Sequence, residues 1–236
     1  MAYLIHSVNC LTAWREVCNH IIMNGDGFNL LTHIENPLAF TSAQLDEIIN
    51  SGLLTKKEIN DVSNTIFPAK LYLRSLNNIQ FYDKHEEIYY RGKSMHKKNK
   101  SKWGNYFLRF TKFGCRKINQ LQLIIDGINN RVNNQSACYT MHVSSVDYDN
   151  NTRVIGGPCL QYIQFGKDNN FLNLTAIYRN HDFLLKALGN YIGLSKLLEF
   201  VCNNTNSSMG SITCHSIHYY MQKKKNVTNC LNNLTW

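Results

Sequence analysis

The chain is 236 residues long, with apolar residues at 44% and charged residues at 17%, which is enough for a sizeable core and far from the composition of a disordered polymer. Its net charge of +9, from 25 Lys and Arg against 16 Asp and Glu, favours anionic partners such as nucleotides, nucleic acids or acidic surfaces without choosing among them. No run approaches the ~18 uninterrupted apolar residues of a membrane span, the N-terminus lacks the pattern of a signal peptide, and the eight cysteines form no Cys-x-x-Cys pair and no zinc spacing; a cytoplasmic protein with reduced thiols, no metal and no membrane contact is expected.

In chain order, Leu11, Trp14, Val17, Cys18, Ile21 and Ile22 recur at the three-and-four spacing of an amphipathic helix over residues 9 to 24, which Gly25-Asp26-Gly27 ends. Phe28 to Ile34 reads as a strand and Glu35-Asn36-Pro37 as the turn leaving it. A second helix is expected from Ser42 to Asn50, before Ser51-Gly52. Between Thr65 and Asn119 the pattern is irregular: one or two helices joined by long loops, with a basic loop region at about 91–117 that carries Arg91, Lys93, Lys97, Lys98, Lys100, Lys102, Arg109, Lys112, Arg116 and Lys117.

From Ile118 the positions Leu121, Ile124, Ile125 and Ile128 predict another helix, stopped by the Asn-rich stretch 129 to 134. Strands are expected over Ala137–Val143, Leu160–Phe165 and Phe171–Tyr178, the last two joined by the turn 166 to 170. Apolar helices follow over Asp182–Ile192 and Ser195–Val201, then a strand over Ser211–Met221. The mixture is α/β, with strands clustered toward the C-terminal half as in α+β proteins, in a single domain spanning 1–236.

Cys159 follows Gly156-Gly157-Pro158 at the mouth of a strand, where a turn leaves a side chain at the end of a sheet. Taken alone, a cysteine there is more often an inert packed thiol than a nucleophile. Twenty residues on, Tyr178-Arg179-Asn180-His181-Asp182 closes the next strand. If the two strands pair, Arg179 reaches the same edge as Cys159, where a guanidinium could stabilise a thiolate and hold an anion, although a surface ion pair is an equal use for it. Asp182 is also placed to cap the following helix. Asn190 lies about two turns further on; an amide there needs a hydrogen-bond partner, either a ligand or backbone.

Together, Pro158-Cys159 before Gln161-Tyr162-Ile163-Gln164-Phe165, then Tyr178-Arg179-Asn180-His181-Asp182, then Asn190, resemble the thymidylate synthase and pyrimidine hydroxymethylase family: its nucleophile strand, its Arg-Ser-x-Asp segment and its base-reading asparagine. Asn119-Gln120-Leu121 is similar to that family's Asp-Gln-Leu helix, and Trp103-Gly104-Asn105-Tyr106-Phe107-Leu108-Arg109 resembles its Tyr-Gly-x-x-Trp-Arg loop. The resemblance implies a mixed twisted β-sheet covered by helices. It also implies addition of the Cys159 thiolate to carbon 6 of a pyrimidine deoxynucleotide, followed by methyl or hydroxymethyl transfer to carbon 5.

In that scheme Arg179 holds the 5′-phosphate, Asp182 contacts the folate and assists proton transfer, and Asn190 reads a dUMP-like base. Asn180 and Arg109 join the substrate site, and the family's His-x-Tyr pair for the sugar is best matched by His218 and Tyr220, with His215 in a competing register. Methylene-tetrahydrofolate is the implied cofactor and a homodimer the implied assembly.

Four positions differ from the family pattern. Ser136-Ala137-Cys138-Tyr139 stands where two arginines donated across the dimer are usual, Leu160 replaces a histidine after the nucleophile, Asn180 replaces a serine, and Asn232-Asn233-Leu234-Thr235-Trp236 falls short of the closing tail. Folate use is therefore a weaker expectation than the cysteine chemistry, and the basic segment 91–117 could supply replacement phosphate contacts. A non-catalytic nucleotide-binding sensor or assembly protein is the alternative; a nucleic-acid binder is disfavoured by the lack of interleaved aromatics.

Overall fold

The computed structural model describes residues 2–95, 104–130, 137, 139–145, 149 and 157–236. Within them a seven-stranded mixed sheet is packed with helices, the α/β class expected. The strands are β1 (Tyr3–Ser7), β2 (Gly27–Ile34), β3 (Thr140–His142), β4 (Leu160–Asp168), β5 (Phe171–Tyr178), β6 (His181–Asp182) and β7 (Ser208–Tyr220), in the order β1-β2-β7-β5-β4-β3, with β6 also on β7. β7 is antiparallel to β2 and parallel to β5 and β6, so the longest strand joins the N-terminal and C-terminal parts of the sheet.

One face alternates into the core: Leu30, Thr32 and Ile34 on β2, Ile212, Cys214 and Ser216 on β7, Leu172, Leu174, Ala176 and Tyr178 on β5. Against the sheet lie α1 (Cys10–Asn24) and the helix Ala187–Thr205, called α8 here. α1 follows the expected stripe, begins in a reciprocal cap between Asn9 and Thr12, and ends where Gly25 adopts φ 86°, a backbone conformation that favours glycine. Its buried Trp14 donates from Nε1 to the Phe183 carbonyl at 2.8 Å, which ties the segment after β6 to the helix layer.

The remaining helices are α2 (Ser42–Asn50), α3 (Lys56–Ile66), α4 (Ala69–Tyr72), α5 (Asn78–Met95), α6 (Tyr106–Thr111), α7 (Gln120–Asn130) and, after β7, α9 (Lys224–Asn232). Several differ from the sequence expectation. β1, α3 and α9 were not foreseen, although Thr55 and Glu58 form a capping box that announces α3. The basic stretch 91–117 is not one loop in its described parts: it contains the end of α5 and all of α6, whose six side chains are buried. Lys97, Lys98, Lys100 and Lys102 lie outside the described residues, as do Gly156 and Cys138.

The two helices expected over 182–201 are one, α8, preceded by a turn at 183–186. Gly193 does not break it, because Gly189 and Gly193 face α3. A Cβ on Gly189 would stand 2.6 Å from Cβ of Val62 and 2.9 Å from the Ile59 carbonyl, and one on Gly193 would stand 2.9 Å from the Ser63 carbonyl. These glycines let two helix backbones approach closely. An aromatic cluster of Phe67, Phe81, Phe107 and Phe200 then holds α5 and α6 against the C-terminal half of α8, with Phe81 and Phe107 rings 4.9 Å apart.

Two consequences can be measured. Gly189→Ala is expected to lower stability by about 1–3 kcal/mol through overpacking, against the sign of helix propensity; an unchanged or raised urea midpoint would show that α3 yields freely. His85 and His181 are buried at 7% and 1% exposure, and burial lowers their pKa values to about 4 and about 3. Both folded values lie below the unfolded ~6.5, so the unfolded chain takes up protons first on acidification. The unfolding free energy should be flat between about pH 7 and 8 and fall below about 6.5, by up to about 1.4 kcal/mol per pH unit for each imidazole. His85→Phe should reduce that slope.

Candidate active site

β4 and β5 form a hairpin, and its open end carries the chemistry. Leu160 pairs with Tyr178 while Tyr162 pairs with Ile177, so Gln161 is an extra residue on β4. That bulge shifts the inward alternation by one, burying Leu160 as well as Ile163 and re-aiming the strand start. Before it, Gly157 has φ 85°, and Pro158 is buried. The hydroxyl of Tyr106, at the start of α6, accepts from the backbone N–H of both Cys159 and Leu160 at 3.3 Å. The N–H of Arg179 donates to the Cys159 carbonyl at 2.9 Å, so the hairpin brings the two residues together as expected.

Cys159 is half-buried. Burial pushes its thiol pKa up; the charge of Arg179 and a hydrogen bond from it pull the other way, Asp182 adds to the rise, and Lys186 opposes it. The exposed Arg179 is thus the main group favouring the thiolate, and burial outweighs it.

Beyond Arg179 the chain turns into β6. Asp182 Oδ1 accepts from the backbone N–H of Leu184 at 2.9 Å and Leu185 at 3.0 Å, closing the turn at 183–186 and not capping α8, whose N-cap is Lys186, while Oδ2 accepts from the Tyr220 hydroxyl at 3.4 Å. Asn180 Oδ1 accepts from His218 Nδ1 at 2.6 Å. His181 is fully buried, its ring stacked on Tyr178 with centroids 4.1 Å apart. Asn190, 4% exposed on α8, meets His181 through its side-chain nitrogen at 3.1 Å.

These residues face a cavity of about 980 Å³. Cys159, Asn180, Asp182, Asn190 and Tyr220 line it together, so five of the eight sequence candidates share one space. Arg179 adjoins through Cys159, and His218 stands behind Asn180. Arg109 does not line it: its guanidinium is buried, pairs with both oxygens of Asp149 at 2.8 and 3.0 Å, and donates to the Val143 carbonyl. Most of the opposite wall was not read from the sequence. It comprises Asp61, Val62 and Thr65 of α3, His85, Ile88 and Tyr89 of α5, and Asn105 and Tyr106. The capping box of α3 was a usable signal for the first group; nothing local marks His85.

Among the described residues, no group of three or more His, Cys, Asp or Glu could hold a metal ion, and no helix is long and apolar enough to cross a membrane.

No protein-family model matches the chain. Curated proteins do. A protein of Methanocaldococcus jannaschii named "Putative thymidylate synthase" is 33% identical over 127 residues, 50% of this chain and 57% of that protein. Proteins of the same name from Methanococcoides burtonii and Methanosarcina barkeri are each 31% identical over 106 residues, 44% of this chain and 47% of theirs. Over about half of its length the chain is thus similar to proteins named as thymidylate synthases. It spans about half the length of the curated relatives it matches. Given that similarity, the hairpin edge that carries Cys159 and Arg179 is the natural place to test for chemistry.

Iodoacetamide labelling of Cys159, followed by peptide mass mapping to separate it from the exposed Cys115, should be slow at pH 7 and accelerate above about pH 9. Arg179→Ala should slow it further at each pH. Equal rates in both proteins would mean that the guanidinium does not tune the thiol.

Proposed function

We propose that the cavity is the active site of a thymidylate synthase-like transferase that modifies carbon 5 of a pyrimidine deoxynucleotide, with a dUMP-like base favoured. The observation that carries this reading is the placement of Cys159 beside Arg179 at one end of a cavity that also presents Asp182, Asn190 and Tyr220. A soft nucleophile, a cation and a carboxylate converge there with an amide able to pair with a base edge.

In this mechanism the Cys159 thiolate adds to carbon 6 of the ring. The S–C6 bond forms, the C5–C6 π pair moves toward C5 and O4, and C5 becomes an enolate-type nucleophile. Arg179 supports the thiolate and binds the 5′-phosphate, with Lys186 a second cation on the cavity wall. Asn190 reads the base and Asn180 contacts the nucleotide. His218, behind Asn180, orients it, and Tyr220 binds the sugar through its hydroxyl. Asp182, which already accepts from Tyr220, contacts the second substrate and serves proton transfer at that end. Once C5 has bonded to the one-carbon unit, loss of its proton and departure of the Cys159 thiolate by S–C6 cleavage restore the C5–C6 double bond.

A volume of about 980 Å³ is at the upper end of small-molecule sites and leaves space beyond a nucleotide. The α3 and α5 wall supplies Val62, Ile88 and Tyr89, an apolar surface suited to a flat heterocycle, so the residues fit methylene-tetrahydrofolate as one-carbon donor. When bound, that cofactor supplies the carbon at the formaldehyde oxidation level. The reading also includes a homodimer. Its support is the second face of the sheet, where Leu31, Thr213, His215, Thr175 and Ile177 stay half-buried or exposed in the isolated chain.

Release of tritium from carbon 5 of labelled dUMP, with and without methylene-tetrahydrofolate, tests the reading. Wild type should release label, and Cys159→Ser should lose the activity by at least about a thousandfold, as expected when a covalent nucleophile is removed. Silence of both proteins with dUMP and dCMP would sink the enzyme and leave a non-catalytic nucleotide-binding protein.

A further inference from the structure

His181 takes no part in the mechanism above, yet it is the most completely buried polar residue at the site. Its Nδ1 lies 2.8 Å from Ser216 Oγ, and its Nε2 lies 3.1 Å from Nδ2 of Asn190. A carboxamide nitrogen can only donate, so Nε2 must offer a lone pair, and Nδ1 then carries the hydrogen and donates to Ser216. Burial keeps the ring neutral, with a pKa lowered to about 3, so the lone pair persists throughout the physiological range. Stacking on Tyr178 at an interplanar angle of 5° and the flanking ring of Phe183, 4.8 Å away, fix the plane of the imidazole.

The consequence falls on Asn190. A carboxamide is nearly symmetrical in shape and opposite in hydrogen bonding at its two ends, so a half-turn about its terminal bond exchanges donor and acceptor. With Nδ2 directed at His181, its oxygen is the end left for the cavity; among the described residues no group donates to it. An inward-facing oxygen matches the N3–H of uracil. It opposes the lone pair on N3 of cytosine.

We propose that His181 is a positioning residue that locks the orientation of the Asn190 carboxamide and thereby makes the site selective for a uracil over a cytosine nucleotide. This rests on the reading of the cavity as a pyrimidine site. His181, at the cavity wall behind Asn190, acts through that carboxamide, and Ser216 acts through His181.

Titration of the full chain with dUMP and dCMP, alongside C5 tritium release for each, tests it. Wild type should prefer dUMP at least about tenfold, the scale of one well-made against one mismatched buried hydrogen bond. His181→Leu, which keeps apolar bulk and removes the lone pair, should bring the two affinities within about threefold. His181→Gln can again accept from Asn190 and should restore most of the preference, which simple loss of packing would not allow. Ser216→Ala, a smaller change in case the leucine variant does not fold, should weaken the preference by releasing the imidazole tautomer.

Full wild-type preference in a folded His181→Leu protein, or in Ser216→Ala when the leucine variant does not fold, overturns the inference alone, as does a wild type that prefers dCMP. A wild type that binds neither nucleotide overturns the pyrimidine reading beneath it as well.

Discussion

The hydrogen bond from the Arg179 amide to the Cys159 carbonyl closes the open end of the β4–β5 hairpin. Because this pairing is made by backbone, it fixes two residues twenty positions apart without depending on either side chain, and the neighbouring groups follow from it. Tyr106 can accept from two successive N–H groups only because the strand start is held at that register. The chain beyond Arg179 then continues along β7, on which Tyr178 already pairs with Ser216, and this places His181 beside Tyr219 and Asp182 beside Tyr220. A slip of one residue would exchange the inward and outward faces of both strands and separate thiol, guanidinium and carboxylate.

The hairpin edge could be read from the sequence because its determinants are local. Alternation over 160–165 and 171–178, a Gly- and Asn-containing turn between them and Gly-Gly-Pro before the cysteine suffice to place Cys159 and Arg179 together. The facing wall could not, because its determinants are contacts between distant segments. Helix α5 carries Asn78-Ile79-Gln80-Phe81-Tyr82-Asp83-Lys84-His85, in which only Phe81, Tyr82 and His85 turn inward, and their reason for doing so is the aromatic cluster with Phe67, Phe107 and Phe200. Gly193, read as a break between two helices, misled for the same reason. In isolation a glycine weakens a helix, whereas here the missing side chains are what allow α3 to approach. Arg109 shows the converse case: a cation in a family-like motif reads as a substrate-site residue, and its buried bidentate pair with Asp149 gives it a structural partner that no local pattern reveals.

Desolvation by these walls acts on three titratable groups in the same sense. It raises Cys159 and lowers His85 and His181, in each case favouring the neutral form. For His181 neutrality is useful, since only an uncharged imidazole retains the lone pair that Asn190 needs. For Cys159 the same effect is a cost, because the reactive species is the thiolate. The cavity therefore keeps the environment that preserves hydrogen-bond polarity at its base-reading end and relies on Arg179, at the exposed edge, to recover charge stabilisation at its nucleophilic end.

That division has a physical logic. A guanidinium in the exposed region stays hydrated and avoids most of the desolvation penalty of a buried cation, yet remains close enough to hydrogen-bond the thiol. The arrangement also limits what the chain's overall charge of +9 can contribute. Dispersed surface lysines draw an anion toward the molecule, but screening over about 8–10 Å leaves the thiol's ionisation to groups in direct contact with it. Attraction and activation are thus separate tasks, and the second belongs to the backbone-paired neighbours Cys159 and Arg179.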